Sequence, residues 1–182
     1  YKKALVAFEP YKKDYDVVLG LEGLRNVKTL DELKAMYDLG VRHCSLTWNE
    51  ENHLATGVAG SPERGLTDLG KEFLDFMKEK KMIIDVSHLN VKSFFDVTDY
   101  VQENVIASHS NAWSLCNHRR NLNDAQLKRL ASIGRYVGVV SARNFVNASD
   151  DRKTVAGLVD HIEYIAKFIG IDHVMLGLDM MD

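Results

Sequence analysis

"MIIDVSHLN", Met82 to Asn90, and "VIASHSNAW", Val105 to Trp113, share one design: a short apolar run that leads into a histidine, His88 and His109. Apolar runs of this length, bounded by polar residues, read as strands buried on both faces. Outward from this pair the hydrophobic period alternates along the chain. "DVVLGLEG" (Asp16 to Gly23), "VRHCSLTW" (Val41 to Trp48), "YVGVVSA" (Tyr136 to Ala142) and "HVMLGLD" (His173 to Asp179) are the other strand-like runs. Helical patterns fill the spaces at 29–40, 66–81, 90–101, 123–134 and 153–170. In the first, Thr29 is a candidate N-cap, Leu30, Leu33 and Tyr37 recur at helical spacing, and Gly40 is the stop. In the second, Leu69, Phe73, Phe76 and Met77 form one apolar face. Six strands and five intervening helices are predicted.

Continuous apolar strands separated by helices imply an α/β fold with a parallel sheet, because parallel neighbours need crossovers and the crossovers cover the sheet. The choice lies between an open doubly wound sheet and a (β/α)8 TIM barrel. No strand is followed by GxGxxG or a P-loop, and the polar residues gather at the C-terminal ends of the strands. That distribution favours the barrel, which builds its site from several strand ends. About six of the eight strands are expected here.

The chain has 182 residues, 46% of them hydrophobic, enough for one domain over residues 1–182. Its net charge of −3 comes from 23 basic and 26 acidic residues scattered along the sequence, so it carries no basic footprint for nucleic acid. No run of about 18 apolar residues occurs, and "YKKALVAFEPYKK" lacks the features of a signal peptide. Cys44 and Cys116 have no CxxC partner and read as free thiols of a reducing compartment, so a cytoplasmic location is expected.

Five strand ends carry candidate chemistry: Glu22, Trp48 with Asn49, His88, His109 and Asp179. A carboxylate and two imidazoles are ligand types for Zn2+, and a carboxylate can bridge two metals. Each residue also has an ordinary reading. Glu22 alone would be solvated or paired with Arg25, either histidine alone would be a hydrogen-bonded structural imidazole, and Asp179 would cap a turn. The repeated position on consecutive parallel strands shifts His88 and His109 towards metal. Asp85 alternates with the chemistry-bearing positions and reads as a hydrogen-bonding support rather than a ligand. His43, His53, His118, His161 and His173 read as surface or packing residues, with His53 on a loop near the mouth.

The sequence resembles the renal or membrane dipeptidase family, metal-dependent peptidases built on a (β/α)8 barrel. The resembling stretches are Glu22-Gly23, "LTWNEEN" (Leu46 to Asn52), "GLTDLGKEFLDFM" from Gly65, "IIDVSHLN", "ASHSNAWSLCNHRRNL" from Ala107, and "GLD" at Gly177 to Asp179. They occur in the family's order over essentially the whole chain. The resemblance implies that Glu22 bridges two zinc ions, that His88 and His109 ligate the second zinc, and that Arg120 holds the substrate's terminal carboxylate. Read without it, Arg119 and Arg120 would be a surface pair capping a helix. The implied reaction is dipeptide hydrolysis by a zinc-bridging hydroxide, with Asp179 moving the proton and Trp48 and Asn49 lining the substrate pocket.

The resemblance also exposes departures. The family's H-x-D pair on the first barrel strand, which supplies the first zinc, is missing: the sequence contains no H-x-D. The vertebrate branch has a histidine where Trp48 stands. The chain is therefore expected to be an incomplete barrel, lacking the first two strands and the last helix. A dipeptide and Zn2+ are the expected ligands and a homodimer the expected assembly, with no nucleic acid or membrane segment. The competing functional readings are a binuclear amidohydrolase acting on another small amide, such as an N-acyl amino acid, and a noncatalytic metal- or peptide-binding barrel.

Overall fold

Six strands pair in parallel and in strict chain order: β1 (Leu19–Leu21), β2 (Val41–Ser45), β3 (Ile83–Asp85), β4 (Val105–Ala107), β5 (Tyr136–Val139) and β6 (Val174–Leu176). The computed structural model describes residues 17–180, so Asp16 and the segment inspected for a signal peptide lie outside the described residues. The crossovers contain α1 (Leu30–Asp38), α2 (Asp68–Glu79), α3 (Val91–Tyr100), α4 (Asp124–Ser132) and, in the last, a short α5 (Arg143–Val146) before α6 (Val155–Ile169). Crossovers of the usual right hand that always step to the same side place their helices on one face of the sheet. A doubly wound sheet reverses direction; this one does not, which is the strand order of a barrel wall.

The predicted elements are all present, and the strands are shorter than the apolar runs that announced them. β3 stops at Asp85 and β4 at Ala107, so His88 and His109 lie in the loops just beyond the ladder rather than at its last rungs. The helix starts follow capping chemistry. Thr29 accepts from the Glu32 amide while Glu32 reaches back to the Thr29 amide, and Asn123 and Gln126 repeat the exchange at α4. Thr67, Asn90 and Thr154 cap α2, α3 and α6.

Alternation separates the two faces of the sheet. Ile84, Val105, Ala107, Val137 and Val139 are fully buried among the residues of the core, which include Leu33, Phe73, Leu74, Met77, Phe94, Val97, Leu127, Leu130 and Ile165. The opposite, inner face carries His43, Asp85 and the glycines Gly20, Gly138 and Gly177. A Cβ at Gly138 or Gly177 would run into the Ser108 carbonyl oxygen, so β5 and the end of β6 approach the loop after β4 as closely as backbone allows. Gly138→Ala is expected to cost about 1–3 kcal/mol by overpacking. A lower denaturation midpoint at constant m-value would show it, and an unchanged midpoint would mean that the loop yields freely.

Candidate metal centre

Glu22 directly follows β1, and the chain turns away at once through Gly23, whose φ is +83° and whose amide donates to Ser45 Oγ at 2.7 Å. His88 is held by its carbonyl, which accepts from Val58 N at 3.0 Å, beside an antiparallel bridge between Gly57 and Leu89. The His109 amide donates to Ser87 Oγ at 3.1 Å. These loop contacts, made by the long segment after β2 and by the β3 loop, bring three side chains to one point. Glu22 Oε1 lies 2.8 Å from His88 Nε2 and 3.3 Å from His109 Nε2, and the two Nε2 atoms are 3.0 Å apart. The histidines are buried and the Glu22 side chain is half exposed.

His88 Nδ1 lies 3.1 Å from Asn49 Oδ1, an atom that only accepts, so Nδ1 carries the proton and Nε2 presents its lone pair inward. Burial pulls the His88 pKa down, Arg120 and His109 add to this, and Glu22 opposes it. The imidazole of His109 and then that of His88, set against its oxygen, hold the Glu22 carboxyl far below the usual carboxylate range, against the effect of burial. An ionised carboxylate and a neutral imidazole are ligands ready for a cation. One oxygen and two imidazole nitrogens fit Zn2+, with coordination positions left over as catalytic sites keep them.

Arg120 is buried beside this group. Its Nη2 donates to His88 Nε2 at 3.0 Å, its Nη1 donates to the Ser87 carbonyl, and its guanidinium lies 5.5 Å from the Phe145 ring centre. Burial pushes its pKa down to about 10 while Asp85, Glu22 and Asp179 pull it up. Arg120 also lines a cavity of about 440 Å³ with Ser87, Leu89, Trp113 and Leu122. The loop that carries it is fastened by Asn111, which exchanges two hydrogen bonds with Val140, and by Asn121, which donates to the Cys116 and Phe145 carbonyls.

The structure thus brings Glu22, His88, His109 and Arg120 together. Trp48 is half exposed with its ring 5.9 Å from that of His88, and Asn49 contacts the same imidazole. Asp179 is exposed beyond β6 with φ +54°, outside the carboxylate–imidazole cluster but with its charge felt at Arg120. Arg25 pairs with Glu50 at 3.1 Å, so the ordinary Glu22–Arg25 reading does not apply. His161 is a buried structural imidazole between the Ala112 amide and the Val146 carbonyl, and His53 packs on Phe73 with Nε2 at 2.8 Å from the Val27 carbonyl oxygen. Cys44 and Cys116 are free, and burial pushes the Cys44 thiol up to about 12. His43 carries more than a packing role: its Nε2 is 3.2 Å from Asp85 Oδ2. The pairing of β2 with β3 creates that contact, and the only sequence sign of it is the shared inward alternation.

Residues 6–182 match the family model described as membrane dipeptidase (peptidase family M19). The chain belongs to the membrane dipeptidase family. An uncharacterized dipeptidase of Schizosaccharomyces pombe is 39% identical over 169 residues, covering 90% of this chain and 41% of that protein. An uncharacterized protein from the pqqA 5′ region of Klebsiella pneumoniae is 38% identical over 157 residues, covering 81% and 58%. A metallopeptidase from Rhodobacter sphaeroides, solved with a phosphinate mimic of the dipeptide L-Ala-D-Ala, superposes with a TM-score of 0.79 at 29% identity, covering 90% of this chain and 49% of its own. The chain spans about half the length of these relatives. A probable dipeptidase of Pseudomonas aeruginosa, 20% identical, has the same fold with a TM-score of 0.83, covering 98% of this chain and 61% of its own. The sheet is therefore most of a family (β/α)8 barrel. Among the described residues no helix is long and apolar enough to cross a membrane.

Chelator competition on the full-length protein is expected to show His88→Ala and His109→Ala each weakening zinc binding by more than the roughly 10–100-fold that outer-shell changes cost. Protons compete with the metal for the imidazole nitrogens, so affinity should fall as the pH is lowered. An affinity independent of both histidines would rule out this centre.

Proposed function

We propose that the chain carries most of the active site of a zinc-dependent dipeptidase, as one catalytic barrel domain over residues 1–182. The observation that carries this reading is the convergence of Glu22 Oε1 and two imidazole Nε2 atoms beside a buried guanidinium. Bound Zn2+ would lower the pKa of a water and polarise the amide carbonyl. The complete site would hold two ions, and Glu22 would be a ligand to both. The pair of ligands needed by the first has no H-x-D counterpart in this sequence.

The chain's own residues supply positioning and proton movement. His88 and His109 hold one side of the centre from the loops just beyond β3 and β4. Arg120 presents a planar pair of N–H groups, which suits bidentate capture of a terminal carboxylate in a way that lysine does not. Anchoring that carboxylate beside the metal restricts substrates to about two residues by reach. Asp179 is assigned the proton transfer to the leaving amine, and Trp48 and Asn49 line the pocket beside His88. Solubility, a dipeptide as substrate and a homodimer as assembly belong to the same proposal.

The test is dipeptide turnover by the full-length protein. Chelation should abolish it and zinc should restore it. Arg120→Ala, checked for an intact fold by thermal unfolding, should raise KM for dipeptides by about 10–100-fold, as expected for loss of hydrogen bonds to a charged group, and Arg120→Lys should recover only part. Equal turnover of uncharged amides by wild type and Arg120→Ala would instead identify a broader amidohydrolase.

A further inference from the structure

Asp85 is buried against the metal centre without belonging to it. Its Oδ1 accepts from the Ser87 amide at 3.0 Å, the Ser87 hydroxyl at 2.7 Å and the Ser108 amide at 3.1 Å. Its Oδ2 accepts from the Ser108 hydroxyl and faces His43 Nε2 at 3.2 Å. One carboxylate therefore ties together the two loops that carry His88 and His109. Ser108 Oγ lies 2.6 Å from His109 Nδ1, and the Ser108 backbone is wedged against Gly138 and Gly177.

The direction of these hydrogen bonds is set by proton count. An ionised carboxylate only accepts, and a hydroxyl has one proton to give. With the Ser108 proton committed to Asp85 Oδ2, the Ser108 oxygen is an acceptor towards His109. His109 Nδ1 must then be the N–H, which leaves the lone pair on Nε2, the atom that faces Glu22 and His88. We propose that Asp85 is a positioning residue that acts through the Ser108 hydroxyl to fix His109 as the Nδ1–H tautomer, keeping Nε2 available to a metal ion. The proposal rests on reading the centre as a metal site, though not on dipeptides being the substrate.

Asp85→Asn reverses the chain while nearly preserving shape. Two backbone amides and a hydroxyl claim the Oδ1 position, so the amide oxygen must stay there and the NH2 must face Ser108 and His43. That NH2 donates to Ser108 Oγ, the hydroxyl proton turns to His109 Nδ1, and the ring proton moves to Nε2. In the full-length protein, Asp85→Asn is expected to weaken zinc binding about 10–100-fold by chelator competition. Nitrogen-15 spectra of the metal-free protein, taken above the imidazole titration range, should show His109 shifting towards Nε2–H. Ser108→Ala alone should produce a smaller loss of zinc affinity and a mixed tautomer population. In the Ser108→Ala background the further cost of Asp85→Asn should largely vanish.

Unchanged tautomer populations, or a full Asp85→Asn cost without the Ser108 hydroxyl, would overturn the relay and leave Asp85 a structural tie. Should Asp85→Asn fail to fold, Ser108→Ala decides: wild-type zinc affinity and tautomer in that variant would refute the proposal. Tight zinc binding with an Asp85-dependent tautomer but no dipeptide hydrolysis would reject the functional reading and leave the relay standing.

Discussion

Two imidazole nitrogens 3.0 Å apart, next to an ionised carboxylate, call for positive charge close by. Neutral rings with both lone pairs inward repel each other and the carboxylate; the Arg120 guanidinium answers the His88 lone pair, and a metal ion suits the group as a whole. Everything nearby keeps the lone pairs in place. Asn49 takes the outer proton of His88, burial keeps that ring neutral, and the β3 and β4 loops hold the two backbones in step through Asp85 and the Ser87 hydroxyl. The parallel sheet makes this possible, because consecutive strands deliver loop residues from positions far apart in sequence to the same end.

The fold was largely legible because its elements obey period and capping rules. Leu33, Phe73 and Met77 repeat at helical spacing and are fully buried, and Thr29 caps α1 as its position implied. Strand boundaries were less legible. Ladder pairing ends where loop hydrogen bonds compete for the backbone, and hydrophobicity does not register that competition: Val86 is as buried as Ile84 yet lies outside β3.

The centre divided along the same line. Glu22, His88 and His109 were visible because they recur just past strand runs. Arg120 has no such mark. It is placed by a loop whose asparagines imitate backbone partners, and only the family resemblance singled it out. Ser108, and the contact of Asn49 with His88, could not be read from residue type, since their roles follow from a hydroxyl and an amide oxygen lying at hydrogen-bond distance across separate loops. His43 was hidden for a related reason: its neighbour on the inner face is set by strand register.

The contact between Arg120 and His88 ties the buried guanidinium to the carboxylate–imidazole cluster. The His88 Nε2 lone pair accepts from Arg120 Nη2 at 3.0 Å, and one lone pair serves one partner. A cation that takes this lone pair frees an N–H of a buried guanidinium, which must find another acceptor because leaving it unpaired out of water is costly. On the proposed reading, a substrate carboxylate arriving from the adjoining cavity would answer that need. Metal binding and carboxylate binding would then be coupled through a shared atom, and linkage would make the coupling reciprocal: whatever strengthened one would strengthen the other by the same factor. The buried position of Arg120, which costs stability when viewed alone, would make the two events depend on each other.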